Sequence, residues 1–142
     1  MLERLRSIVQ KVNAARDLQS ALDIIVRKVR EALDTQVCSV FLLDSDINAH
    51  VLMASDGLNK GSIGHVSLEA GEGLVGLVAK HAEPINLQDA SLHPSFHYLK
   101  DTGEELYHSF LGVPIIHHRS VLGVLVVQHE ERRRFDESEE AF

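Results

Sequence analysis

Residues 109–116 and 121–128 are two apolar runs separated only by His117, His118, Arg119 and Ser120. Both are rich in Val, Ile and Leu and have strand length, and a polar connection this short joins strands only as antiparallel neighbours. A parallel pairing needs a crossover of about a dozen residues or more, so an all-parallel sheet is excluded. Gly123 inside the second run marks a close approach or a bulge.

What precedes this hairpin sets the rest of the architecture. Leu2, Leu5, Ile8 or Val9, and Val12 recur every three or four residues and share one narrow helical face. Leu18, Leu22, Ile25, Val29 and Leu33 repeat the period, with Asp17 placed to accept hydrogen bonds from the free amides of a second helix. The narrow first stripe fits either packing on its own domain or a seam for a partner helix. At Val37 the pattern changes. Residues 37–43 are apolar on both faces, which predicts a central strand covered on both sides. Residues 50–55 form a second strand ended by Asp56-Gly57, and residues 65–68 a short third. A glycine-rich turn from Gly71 opens a short helix reaching Ala79, with Glu72 near its positive end. Residues 84–87 give another strand, and residues 88–107 a polar, histidine-bearing insertion. Residues 135–142 start a helix that Asp136 can cap, and it stops within two turns, as in a fragment of a longer protein. The expected class is α+β: an antiparallel sheet with terminal helices on one face and the insertion on the other.

Length and composition exclude several functions. The 142 residues suit one domain, and 44% apolar with 25% charged residues is the balance of a folded one. The net charge of −7 is unevenly spread. Residues 1–31 carry seven basic and four acidic side chains, residues 32–128 four and eleven, and residues 129–142 three and six. Such an acidic body speaks against nucleic acid, which needs clustered Lys and Arg. No apolar stretch approaches the roughly 18–20 residues that span a bilayer, and charges throughout residues 1–12 exclude a secretory signal. A cytoplasmic protein is expected, without membrane contact. The single cysteine, Cys38, makes neither an internal disulfide nor a zinc cluster, and its apolar strand reads as structural burial.

Candidate chemistry concentrates in the insertion and the strand beneath it. Asn86, Asp89, His93, Phe96, His97, Tyr98 and Tyr107 over a rigid sheet make either a ligand pocket or a polar surface loop. His93 and His97 have helical metal-ligand spacing, but Pro94 biases His93 away from helix, so no metal site is expected. The adjacent pairs Glu104-Glu105 and Glu139-Glu140 point apart on a helix and make no acid–base dyad. Gly71, Gly73 and Gly76 satisfy G-x-G-x-x-G, but without a parallel βαβ unit that pattern does not signal a dinucleotide.

Cys38-Ser39-Val40-Phe41-Leu42-Leu43-Asp44, Gly71-Glu72-Gly73-Leu74-Val75-Gly76, Glu83-Pro84-Ile85-Asn86-Leu87, Gly112-Val113-Pro114-Ile115 and Gly123-Val124-Leu125-Val126-Val127 follow in the order typical of GAF domains. The chain resembles that family along nearly its whole length. With residues 8–15, 51–54, 57–60 and 109–119 it is most similar to the amino-terminal GAF domains of nitrogen-related phosphoenolpyruvate–protein phosphotransferases. The resemblance implies about six antiparallel strands between two helical layers, with a small-molecule pocket beneath the insertion. It implies a regulatory domain without catalytic residues, sensing nitrogen status through glutamine or 2-oxoglutarate. Ser39 and Phe41 share one strand face by parity and would line that pocket with Asn86, Asp89, His93, Phe96, His97, Tyr98 and Phe110. The domain would carry no cofactor, magnesium belonging to a catalytic domain elsewhere in the parent. Its partners would be the effector, the following phosphotransferase domains, through the parent a phosphocarrier protein, and a second copy of itself.

Departures narrow the options within the family. Asn59-Lys60 lacks the Phe-x-x-x-Asp-Glu companion of cyclic-nucleotide binders, and the insertion has no cysteine for a bilin. One thiol cannot form the disulfide that methionine sulfoxide reduction requires. The alternative to a sensor is a ligand-free interaction module pairing through Leu2, Leu5, Val9 and Val12.

Overall fold

The computed structural model of the protein describes residues 4–6, 18–58, 61, 63–64, 66–93 and 107–137. Residues 4–6 are helical. Helix α1 spans Leu18–Leu33 and buries Ala21, Leu22, Val26, Val29 and Leu33, the stripe its 3.6-residue period dictates, while Leu18 at its start stays exposed. Six strands follow: β1 Val37–Asp44, β2 Ala49–Asp56, β3 Ser67–Glu69, β4 Ile85–Leu87, β5 Ser109–His117 and β6 Ser120–His129. Helix α2, Gly73–His81, lies between β3 and β4, and a 3-10 turn at Ala90–Leu92 opens the insertion.

The strands form one sheet in the order β3-β2-β1-β6-β5-β4, and every pairing is antiparallel. Strand β1 is interior, and its apolar run feeds two separate cores. On one face Val37 and Phe41 pack with Leu74, Val75 and Val78 of α2; on the other Cys38 and Val40 pack with Leu22, Val26, Val29 and Leu33 of α1. Burying both faces of this strand is what a continuous apolar run makes possible.

Two irregularities set which residues face which core. Val40 stands opposite Ala54 but Phe41 opposite Leu52, so Met53 is an extra residue in β2. The bulge sends Leu52 to the α2 side and Ala54 to the α1 side, although plain alternation would keep them together. A second slip, with Ile115 opposite Gly123 and Ile116 opposite Val121, leaves Leu122 extra in β6.

The glycine-rich turn has a packing explanation. Gly71 and Gly73 sit at positive φ, and a Cβ on Gly76 would lie 2.3 Å from the Gly71 carbonyl carbon. The G-x-G-x-x-G spacing therefore folds the turn tightly against its own helix. The turn gives way to the helix at Gly73, and the helix runs to His81, two residues past Ala79; the third strand is Ser67–Glu69, and His65 lies outside the described residues. Among the described residues no helix is long and apolar enough to cross a membrane.

Candidate functional site

The α2-facing side of the sheet can be followed as rows of directly opposed residues. One row runs Leu87, Phe110, Gln128, Val37; the next Ile85, Gly112, Val126, Ser39, Ser55; the third Pro114, Val124, Phe41, Leu52. Leu58, Ala90 and Tyr107 pack over the same core as α2. The floor is apolar except for Ser39, Ser55 and Gln128, with His50 further along β2 opposite Leu43 and Leu68.

These polar groups differ in how they are satisfied. Ser39, fully buried, shares a 2.9 Å hydrogen bond with the Ser55 hydroxyl, which also accepts from the Leu58 amide at 3.3 Å. Gln128 and His50 are each only 3% exposed, yet among the described residues Gln128 Oε1 and His50 Nδ1 have no hydrogen-bond partner. Burial lowers the His50 pKa, and burial with help from Glu130 raises that of Tyr107. The Cys38 thiol, on the other face, is pushed strongly upward by burial and then by Asp56, against a smaller opposing effect of Arg30. That environment suppresses the thiolate.

The predicted pocket residues separate into groups. Ser39, Phe41 and Phe110 come together on the α2-facing floor. Asn86 does not join them: alternation with Ile85 and Leu87 turns its side chain to the α1 side, where its amide brackets the backbone of Phe135. Asp89 is nine-tenths buried and pairs with Arg132 Nε at 3.1 Å and His108 Nδ1 at 3.5 Å. His93 closes the 3-10 turn, its amide donating to the Ala90 carbonyl at 3.0 Å. Phe96, His97 and Tyr98 lie outside the described residues, as do Leu2, Val9 and Val12 of the terminal stripe; Leu5 is exposed. Among the described residues no three His, Cys, Asp or Glu side chains gather as metal ligands.

Asn86 and Asp89, at the root of the insertion, instead grip the segment leaving β6. Ser109 Oγ donates to the Glu131 carbonyl and accepts from the Arg133 amide, and Gln36 bonds the Glu130 backbone from the other side. Phe135 ends this strap, buried among the α1-side apolar residues.

The GAF domain family model matches residues 17–142, which include the whole of this sheet and both helices. The chain belongs to the GAF domain family. It is 54% identical over all 142 residues to a protein of Escherichia coli (strain K12) described as "Phosphoenolpyruvate-dependent phosphotransferase system", and spans 19% of that relative's length. The GAF domain from a phosphoenolpyruvate-protein phosphotransferase of Coxiella burnetii is 48% identical, with a TM-score of 0.89 over 99% of this chain and 83% of that one. The corresponding Acinetobacter GAF domain is 46% identical, with a TM-score of 0.84 and the same coverages.

In this GAF domain the sequence reading missed Gln128 and His50. A signal existed for Gln128, which shares strand parity with the core residues Val124 and Val126.

Proposed function

We propose that this GAF domain is a regulatory sensor that binds a small nitrogen-status metabolite, glutamine or 2-oxoglutarate. Binding adjusts phosphoryl transfer by a parent phosphoenolpyruvate–protein phosphotransferase in the cytoplasm. The observation that supports this reading is 46–54% identity, over 99–100% of this chain, to GAF domains and a relative of that phosphotransferase class. Supporting it, the insertion root touches both the α2-facing core, through Ala90, and the segment leaving β6, through Asn86 and Asp89. A ligand regulates only if its affinity differs between two states, and a root shared by ligand layer and exit segment supplies a physical link between them. Phosphoryl transfer itself would fall to other domains of the parent, with magnesium there and a phosphocarrier protein as acceptor. Titration calorimetry with glutamine and with 2-oxoglutarate tests the binding, and phosphoenolpyruvate-dependent autophosphorylation of the full-length parent tests the regulation. Absence of heat with both metabolites, together with autophosphorylation insensitive to either, would remove the reading.

A second reading, self-association through the terminal helices, is favoured by Leu5 and Leu18, which are 36% and 61% exposed. Aspartate at Leu5 and Val9 should then lower the sedimenting mass, and an unchanged mass excludes this seam.

A further inference from the structure

We propose that Gln128 is a specificity-determining contact for the small ligand of this domain, and that the ligand group facing it is an N–H donor, an amide or an ammonium, held between Gln128 and Ser39. The inference rests on the sensing reading above and adds to it the residue and the chemistry.

Gln128 is a poor choice for a position that only fills the core. It sits directly opposite Phe110 and Val37, both apolar and buried. A buried polar atom without a partner costs about 1–3 kcal/mol, and an apolar side chain of similar size would pack there without that cost. Folds retain few such groups, and each calls for an explanation. Here the orphaned atom is Oε1, which only accepts hydrogen bonds. Whatever satisfies it must donate.

Ser39 supplies the second contact. Because Ser39 stands opposite Val126, Gln128 is its diagonal neighbour on the same face of adjacent antiparallel strands. Diagonal neighbours lie about 7–8 Å apart, a span one small molecule bridges. A hydroxyl has one donor and two acceptor sites, so the bond to Ser55 leaves Ser39 with capacity for a ligand. The other orphaned group on this face, His50 Nδ1, is opposite Leu43, whereas Gln128 is opposite Val37. Six residues of strand, about 20 Å, separate those two positions, so His50 belongs to a different place. Charge agrees with the donor assignment: residues 32–128 carry eleven acidic side chains against four basic ones, which favours a neutral or cationic nitrogen over a dianion.

The test is calorimetry and thermal melting of the 142-residue chain and of its Gln128→Leu and Gln128→Met variants, with glutamine and 2-oxoglutarate as probes. Glutamine carries N–H donors, and 2-oxoglutarate carries none. The expected result is glutamine binding by the wild-type chain, weakened at least about tenfold in both variants, while their ligand-free melting temperatures stay level or rise. Retention of wild-type glutamine affinity by both variants overturns the proposal alone. A fall in melting temperature in both variants also overturns it, because Gln128 would then have a structural partner. Binding of 2-oxoglutarate that both variants weaken as strongly as glutamine overturns the donor assignment. Absence of binding of either probe to the wild-type chain overturns the sensing reading, and this proposal with it.

Discussion

Asn86 holds Phe135 by both of its backbone groups: Nδ2 donates to the Phe135 carbonyl at 2.5 Å, and Oδ1 accepts from the Phe135 amide at 3.2 Å. The two residues are 49 positions apart, and the pair ties strand β4 to the segment leaving β6. Asn86→Ala strips both groups of their partner while Phe135 remains buried. The expected loss is about 2 kcal/mol of unfolding free energy, read from the urea midpoint. Asn86→Asp should not rescue it, since a carboxylate cannot donate to the Phe135 carbonyl. Asn86 faces away from the α2-facing side, so any change in ligand affinity there would be transmitted through the strap and not through a lost ligand contact.

Arg133 fastens the same strap to α1. Its Nη1 and Nη2 donate to the Asp34 and Leu33 carbonyls at 3.2 and 3.1 Å, groups that the end of a helix leaves without intrahelical partners. The guanidinium carbon also lies 4.8 Å from the centre of the Phe135 ring. Arg133→Lys keeps the charge but loses the planar fork, so about 1 kcal/mol should be lost despite the conservative exchange. The urea midpoint measures the loss, and faster amide exchange in the last turn of α1 would place it.

Gly123 is fixed by a close approach between neighbouring strands. A Cβ there would lie 2.1 Å from the Phe41 carbonyl oxygen and 2.9 Å from the Leu42 side chain. Neither β1 nor β6 can retreat, because each is paired on both sides. Gly123→Ala should cost about 3 kcal/mol in thermal or chemical unfolding. Gly61→Ala, where among the described residues nothing lies within 4 Å of the added Cβ, is the control and should be close to neutral.

Hydrophobic period made the two-sided strand β1, the β5–β6 hairpin and the α1 stripe legible, because burial follows directly from which residues share a face. The period fails where the chain breaks it. Leu52 and Ala54 have the same parity, and only the bulge at Met53, a property of the pairing with β1, sends them to opposite cores. Asn86 carried a readable signal in its alternation with Ile85 and Leu87, but its partner Phe135 was not readable, since no local pattern reports a contact across 49 residues. Gln128 closes an apolar run and looks like the end of a strand; register shows that it is still inside the sheet, between Val37 and Phe110.

His50 makes stability pH-dependent in a direction burial fixes. Its folded pKa lies below its ordinary value of 6.5, and desolvation is the cause. Well above pH 6.5 neither the folded nor the unfolded imidazole binds a proton, so this group contributes no slope there. As pH falls through 6.5 the unfolded chain takes up the proton first, and stability declines until pH has passed the lower folded pKa. His50→Leu removes that proton uptake. Urea unfolding at a series of pH values should therefore show a shallower acid-side decline in the variant, and identical slopes would assign the decline to other groups.

The turn between β5 and β6 stores strain that can be released. His117 pairs with Ser120, leaving His118 and Arg119 as a two-residue loop with φ of 49° and 65°. Positive φ at both positions matches the twist of a hairpin, but side chains other than Asn, Asp and Gly adopt it at a cost. The edge contact between the His117 and His118 rings, 3.9 Å between centroids, is exposed and offsets little of that cost. The double substitution His118→Asn, Arg119→Gly should raise the unfolding free energy by about 1 kcal/mol without altering the fold. A β-branched residue at the same place tests the opposite sign: His118→Val should lower the urea midpoint, because its branched Cβ fits positive φ worst of all.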